Sequence, residues 1–325
     1  MTDRSPAALA GRLLAGEVGA IARAISILED GSAGAHEILK AAHAKSGRAL
    51  LVGVTGAPGA GKSTLVDSLA AAYRVEGRRV GIIAVDPTSA FSGGAVLGDR
   101  IRMQRHSSDP GVFIRSMATR GHFGGLSRAT SDAADVLDAA GYDVVLIETV
   151  GVGQDEVEIV RAADCVLVVL VPGLGDDVQA IKAGLLEIAD VYVLNKADRE
   201  GIDRLESEIS MMLSLAADPN GPRPQIVRTV ATAGTGVDLV VGAIASAREA
   251  AERSGTAIER RRERSRFRLV ELVRERILSW AAGDAAGAGA LEAAAEAVHR
   301  REIDPYEAAD RILGAFAARR GKVGP

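Results

Sequence analysis

The chain has 325 residues, 47% of them hydrophobic and 25% charged, with a formal net charge of −4. That length and composition support one substantial core with helical additions, and the mild negative charge excludes the broad basic surface that nucleic-acid binding requires. The single cysteine, Cys165, excludes an intrachain disulfide framework or thiolate metal site; it opens the apolar run 166–171 and reads as a core residue.

Asp3 and Arg4 lead into amphipathic sequence without the apolar stretch of a signal peptide. The longest apolar run, ending at Pro172, falls well short of the roughly 20 residues that cross a bilayer, so a cytoplasmic location is the default expectation. From residue 7 to about 44, Leu9, Leu13, Leu14, Ile21, Ile25, Ile27, Ile38 and Leu39 recur at helical spacing. Short β-rich runs then alternate with helix-length segments, at 49–55, 80–85, 112–115, 143–148, 165–171, 190–194 and 226–230. This alternation predicts an α/β fold with a mostly parallel, doubly wound sheet, whose ligands bind at the carboxyl ends of the strands.

Past residue 249 the strand signal stops. Ile258, Phe267, Val270, Leu272, Val273, Ile277, Leu278 and Trp280 predict a long amphipathic helix, interrupted by the glycine and alanine stretch 283–289. Asp304 and Pro305 then open a final helix. The expected division is an N-terminal helical extension (1–46), a nucleotide domain (47–250) and a C-terminal helical arm (251–325). The arm's apolar face suits either a dimer interface or docking on its own domain. The arginine-rich stretch 260–268, with Glu259 and Glu263 beside and within it, reads as a solvated helix face.

Residues 56–64 carry the chemistry. Gly56, Ala57, Pro58, Gly59, Ala60, Gly61, Lys62, Ser63 and Thr64 follow an apolar strand and precede a helical run. The order of strand, loop and helix distinguishes a phosphate-binding loop from a glycine-rich turn that matches by accident. The glycines allow a backbone path along which N–H groups converge on phosphate; Lys62 reaches the β- and γ-phosphates and the Ser63 hydroxyl ligates Mg²⁺.

A second buried strand runs into Asn195-Lys196-Ala197-Asp198. A carboxylate at Asp198 accepts from guanine N1–H and the 2-amino group, whereas adenine offers neither donor and would leave the charge desolvated. GTP is therefore favoured over ATP, with Asn195 and Lys196 tying this loop to the phosphate loop.

Hydrolysis also needs a metal-binding carboxylate and loops that sense the γ-phosphate. Asp86, at the end of an apolar strand, begins a glycine-containing loop that closes on Asp99; a carboxylate at each end suits Mg²⁺ or its waters. The bland reading of Asp86 is a cap at a strand end. Glu148 ends another apolar strand, where an aspartate commonly sits, and Gly151 would approach the γ-phosphate through its N–H. Lys62, Asp86, Asp99 and Glu148 form the expected catalytic set, and Ser63, Asp86, Asp99 and Glu148 the expected metal set. Val152 stands where many GTPases hold a water-orienting glutamine, with Gln154 displaced, which predicts weak intrinsic hydrolysis.

These motifs, together with Val85-Asp86-Pro87-Thr88-Ser89, Gly98-Asp99-Arg100, Arg115-Ser116-Met117-Ala118-Thr119-Arg120-Gly121 and Glu148-Thr149-Val150-Gly151-Val152-Gly153-Gln154, resemble those of the MeaB/ArgK family of P-loop GTPases. The resemblance covers nearly the full chain. It implies a homodimeric, Mg²⁺-dependent GTPase of the signal-recognition-particle-like class. It further implies a chaperone of adenosylcobalamin-dependent methylmalonyl-CoA mutase, gating cofactor loading and protecting the mutase. A segment from Pro172 to Lys182 resembles the family's additional switch, with a plain surface loop as the alternative. The last base-contacting motif departs from the usual Ser-Ala: Thr229 is followed by Val230, Ala231 and Thr232, so a serine hydroxyl is lost while the Ala231 N–H is expected at guanine O6. The family has also been described as an ATP-using kinase of amino-acid-binding transport proteins, and nickel-insertion GTPases share its core. Asp198 argues against the first, and five histidines without ligand spacing argue against the second.

Overall fold

The computed structural model describes residues 5–86, 106, 108–118, 125–149, 163–173, 188–216, 223–283 and 285–320. Seven strands, β1 (Leu50–Gly56), β2 (Val80–Asp86), β3 (Val112–Ala118), β4 (Val144–Thr149), β5 (Cys165–Leu170), β6 (Val191–Asn195) and β7 (Gln225–Thr229), form one sheet in the order β3-β2-β4-β1-β5-β6-β7. Every pairing is parallel. The central strands show as apolar runs in sequence because both sheet faces are covered there, so residues of either parity are buried, whereas β7 leaves Gln225 and Arg228 exposed.

On one face, Val52, Val54, Ile82, Val144, Leu146, Leu167, Val169, Val191 and Val193 pack with α4 (Lys62–Val75) and a later helix, Val237–Ser254. The other face is shared. Helices α1 (Pro6–Leu14), α2 (Val18–Glu29), α3 (Ala35–His43) and α5 (Gly125–Ala139) cover Ile83, Val85, Val145 and Ile147. Helix α6 (Ile202–Ala216) covers Val166, Val168, Tyr192 and Leu194. Each such aliphatic side chain contributes about 1.5–3 kcal/mol when fully buried. Leu13, Ile21, Ile25 and Ile38 are fully buried, so the N-terminal extension is part of this core. Burial also pushes the Cys165 thiol up, well above the ordinary thiol range.

The chain steps outward from β1 in both directions, since β4 and β5 are its two neighbours and β2 lies beyond β4. The strand order therefore reverses beside β1, and in such sheets the ligand crevice opens at the carboxyl ends of the strands at this point.

Three helices follow α7 (Val237–Ser254): α8 (Thr256–Gly283), α9 (Ala285–His299) and α10 (Pro305–Arg320). The chain divides into two compact units, Met1–Arg264 and Ser265–Pro325, with the boundary inside α8. The long helix ends at Gly283, as expected of the stretch 283–289, but α9 begins at once at Ala285 and continues through Gly287 and Gly289. A Cβ at Gly287 would lie 2.0 Å from Trp280 O and 2.9 Å from Trp280 Cδ2, so this glycine lets α9 pack against α8. Trp280 also meets Phe316 of α10 edge to face at 5.4 Å. One expectation is corrected: the arginine-rich stretch is not wholly solvated. Arg260 pairs with Asp190 at 2.8 Å and Arg264 with Asp164 at 3.1 Å. Asp304 accepts from Tyr306 N at 2.7 Å and Glu307 N at 3.0 Å, capping α10.

Candidate nucleotide site

The phosphate loop leaves β1 at Gly56 and enters α4 at Lys62. Gly56 has φ +141°, and a Cβ there would lie 2.2 Å from Val169 O on β5. Gly61 has φ +91°, and a Cβ there would lie 2.4 Å from Asn195 Nδ2. Both positions thus require glycine for conformation and for space. Gly61 precedes α4 as a left-handed N-cap, and the amides of the following turn have no intrahelical acceptor, which makes them anion donors.

The loop is held by its carbonyl oxygens. Lys62, 6% exposed, donates from Nζ to Gly56 O at 2.6 Å and Ala57 O at 3.1 Å. From the end of β6, Asn195 Nδ2 donates to Ala60 O at 2.9 Å, and Lys196 Nζ donates to Gly59 O at 2.7 Å. The Ala60 N–H is bonded within the loop to Ala57 O at 3.1 Å, while the first-turn amides of α4, without an intrahelical acceptor, are suited to an anion.

Glu148 lies on β4 in register with Val54 and Ala84, and it is 1% exposed. Ser63 Oγ donates to Glu148 Oε1 at 2.5 Å. A hydroxyl and a buried carboxylate thus converge beside the first turn of α4, a hard-oxygen set that fits Mg²⁺. Asp86 terminates β2, which pairs with β4 as far as Val85 and Thr149. Asp99, Gly151, Val152, Gln154 and the segments around Arg120 and after Gly173 lie outside the described residues.

At the base-recognition end, Asn195 Oδ1 accepts from Thr229 Oγ1 and from Ala231 N, both at 3.1 Å. The Ala231 N–H is therefore engaged within the protein. A short 3₁₀ turn, Ala231–Ala233, follows, and Thr232 supplies its next backbone amide. Ser68 Oγ on α4 donates to Ala231 O at 2.9 Å, so the phosphate-loop helix also supports the base loop. Sequence reasoning missed Ser68 and Thr229, which have ordinary residue types and act across 163 and 34 positions. Lys196 adopts φ +56°, turning the chain so that Asp198 is presented, exposed, beyond it.

A family profile described as "Methylmalonyl Co-A mutase-associated GTPase MeaB" matches residues 21–286. The chain belongs to the MeaB family. A Pyrococcus abyssi member that bears GTPase as a provisional name is 52% identical over 305 residues, covering 93% of this chain and 94% of its own. GTPase ArgK of Escherichia coli strain K12 is 36% identical over 276 residues, 82% of this chain and 83% of its own. A crystal structure described as an LAO/AO transport system kinase superposes with a TM-score of 0.71 at 27% identity, covering 98% of this chain and 99% of that one. As a MeaB-family P-loop GTPase, this protein binds GTP and GDP. Among its described residues, no helix is long and apolar enough to cross a membrane.

Proposed function

We propose that this MeaB-family GTPase hydrolyses GTP with Mg²⁺ and acts as a chaperone of adenosylcobalamin-dependent methylmalonyl-CoA mutase, gating cofactor loading and protecting the enzyme. The observation that carries the client is the family description, which associates MeaB with this mutase. The observation that supports the chemistry is the junction of Lys62, Ser63 and Glu148 at the first turn of α4.

In this reading Ser63 and Glu148 hold the metal, with Asp86 and Asp99 as further carboxylates. Bound Mg²⁺ neutralises charge on the β- and γ-phosphate oxygens. Lys62 leaves the carbonyls of Gly56 and Ala57 for those phosphates, while Asn195 keeps the loop fixed by its separate grip on Ala60. Asp198 reads the N1–H and 2-amino group of guanine, and the Thr232 N–H, one residue beyond the engaged Ala231 N–H, reaches O6. Gly151 senses the γ-phosphate. Val152 leaves the attacking water without a glutamine, so the intrinsic rate is low and the client raises it.

Functional division follows the three parts 1–46, 47–250 and 251–325, with dimerisation through the last. Leu269, Val270, Val273 and Leu278 of α8 are exposed at helical spacing and supply the apolar contact. The client is met in the cytoplasm. Likeness to a crystal structure described as a transport system kinase favours a second reading, a kinase of transport binding proteins. That reading requires ATP, which leaves Asp198 without its donors.

Phosphate release from GTP, with and without the mutase and its cofactor, tests the proposal. Acceleration by the mutase, together with nucleotide-dependent cofactor transfer, is the expected result. GTP turnover indifferent to the mutase overturns the client, and transfer of ³²P to a binding protein from ATP would replace the chaperone reading by the kinase.

A further inference from the structure

Helix α4 carries two serine hydroxyls that meet different parts of the site. Ser63 and Ser68 leave the helix about 140° apart around its axis, as their sequence separation requires. Ser63 meets Glu148 on β4, whereas Ser68, 8% exposed, donates from Oγ to Ala231 O at 2.9 Å. Ala231 is thus held on both of its backbone polar groups, because its N–H donates to Asn195 Oδ1 at 3.1 Å. Asn195 in turn reaches Ala60 O of the phosphate loop, so described contacts run from Ser68 through the base loop to the phosphate loop.

The carbonyl oxygen of Ala231 and the N–H of Thr232 belong to one peptide unit. That unit is planar and trans, so the two groups point in opposite directions. A hydroxyl that grips the oxygen from α4 therefore aims the Thr232 N–H away from α4, and Thr232 is exposed where Ala231 is buried. The turn's own bonds do not use that amide: Ala233 N donates to Val230 O at 2.9 Å and Gly234 N to Ala231 O at 3.3 Å. A bond to the carbonyl oxygen also polarises the peptide unit, which strengthens its N–H as a donor. The ends of the base loop are held without Ser68, by Ala197 N on Thr229 O and Val230 N on Thr235 O, both at 3.0 Å. What the Ser68 hydroxyl adds is the orientation of a single peptide unit.

We infer that Ser68 is a positioning residue for guanine recognition: by holding Ala231 O it aims the Thr232 N–H at the 6-oxo group of the base. The inference rests on the proposed reading of the Thr232 N–H as the donor to O6. The helix that begins with Lys62 and Ser63 then sets the base contact as well as the phosphate contacts. Because Ser68 acts through one donor, its signature is a loss of affinity that depends on the acceptor at position 6 of the purine.

The test compares GDP with 6-thio-GDP, by competition against a fluorescent GDP analogue, in the wild-type protein and Ser68→Ala. The thio analogue keeps the N1–H and 2-amino group that Asp198 reads and replaces O6 by sulfur, a weak acceptor. Wild type should prefer GDP by about 10-fold; Ser68→Ala should bind GDP about 5- to 10-fold more weakly while its affinity for 6-thio-GDP stays within about 2-fold, so that the preference nearly disappears. Ala231 O keeps the Gly234 N–H as a donor in this variant, so its carbonyl is not left unpaired. If Ser68→Ala does not accumulate as folded protein, Ser68→Cys, whose thiol is a weaker donor, is read in its place with the same direction expected. Unchanged GDP affinity in the variant, or equal losses for both nucleotides, overturns the inference while the O6 contact stands. Equal wild-type affinities for GDP and 6-thio-GDP would remove the O6 contact itself, and the inference would fall with it.

Discussion

The two ends of the parallel sheet solve opposite problems. At the amino ends, strands expose N–H groups, and aspartates placed directly before the strands receive them. Asp143 accepts from Arg79 N at 2.7 Å, Asp164 from Leu51 N at 3.1 Å and Asp190 from Val166 N at 2.9 Å. Arg260 and Arg264 then balance two of these carboxylates. At the carboxyl ends, Lys62, Asn195 and Lys196 engage the loop's carbonyls, and the first-turn amides of α4 have no intrahelical acceptor. Stability is concentrated where donors are satisfied internally, and function where they are kept for something else.

Substitutions at the two ends should therefore separate activity from stability. The largest effect belongs to Lys62→Ala, which should lower kcat/KM for GTP about 10²- to 10³-fold in a phosphate-release assay. A variant within a few-fold of wild type would break the assignment of the carboxyl end. Next, Asp198→Asn should weaken GTP binding about 10- to 100-fold by titration, because a donor then faces guanine's donors. The same variant should gain affinity for xanthosine triphosphate, whose 2-oxo group accepts.

At the other end, Asp164→Ala leaves Leu51 N without its side-chain acceptor and should cost about 1–3 kcal/mol in urea unfolding. Its GTP affinity should match wild type; a parallel loss of affinity would show that the two ends are not separable. The smallest effect concerns pH. The Arg74 guanidinium, followed by the Gly111 N–H, holds the Asp109 carboxyl below its ordinary value of 3.8. Its contribution to stability is complete above that unfolded value and is lost as pH falls through the lower folded one. Compared with Asp109→Asn, the wild type should therefore show its advantage in urea midpoint at neutral pH and lose it on acidification below the unfolded value.

The central strands β1, β2, β4, β5 and β6 were legible in the sequence because burial on both faces turns them into apolar runs, such as 144–147 and 166–171, while the edge-lying β3 and β7 were legible from shorter β-rich stretches. The phosphate loop and Asn195-Lys196-Ala197-Asp198 were legible because their chemistry is local, carried by residues a few positions apart. Contacts that join distant segments were not. Nothing in an aspartate within the helical run after Ser63 announces that His106, 39 residues later, will lie against it. The arginines of α8 looked solvated because their partners lie far earlier in the chain, Asp164 being 100 residues before Arg264. Yet three strands begin directly after an aspartate, at Asp143-Val144, Asp164-Cys165 and Asp190-Val191, a pattern that marked the amino ends in advance. The break in the stretch 283–289 was legible, falling between Gly283 and Ala285, but the use of Gly287 to admit Trp280 was not.

The most direct test of the account is the initial rate of phosphate release by the wild-type protein with Mg²⁺ and either GTP or ATP at equal concentration. The account predicts slow release from GTP and at least about 100-fold less from ATP, the discrimination expected when a polar recognition group is desolvated and left unpaired by the wrong base. Equal rates, or a preference for ATP, would contradict the role of Asp198 and with it the reading of the carboxyl end as a guanine-nucleotide site.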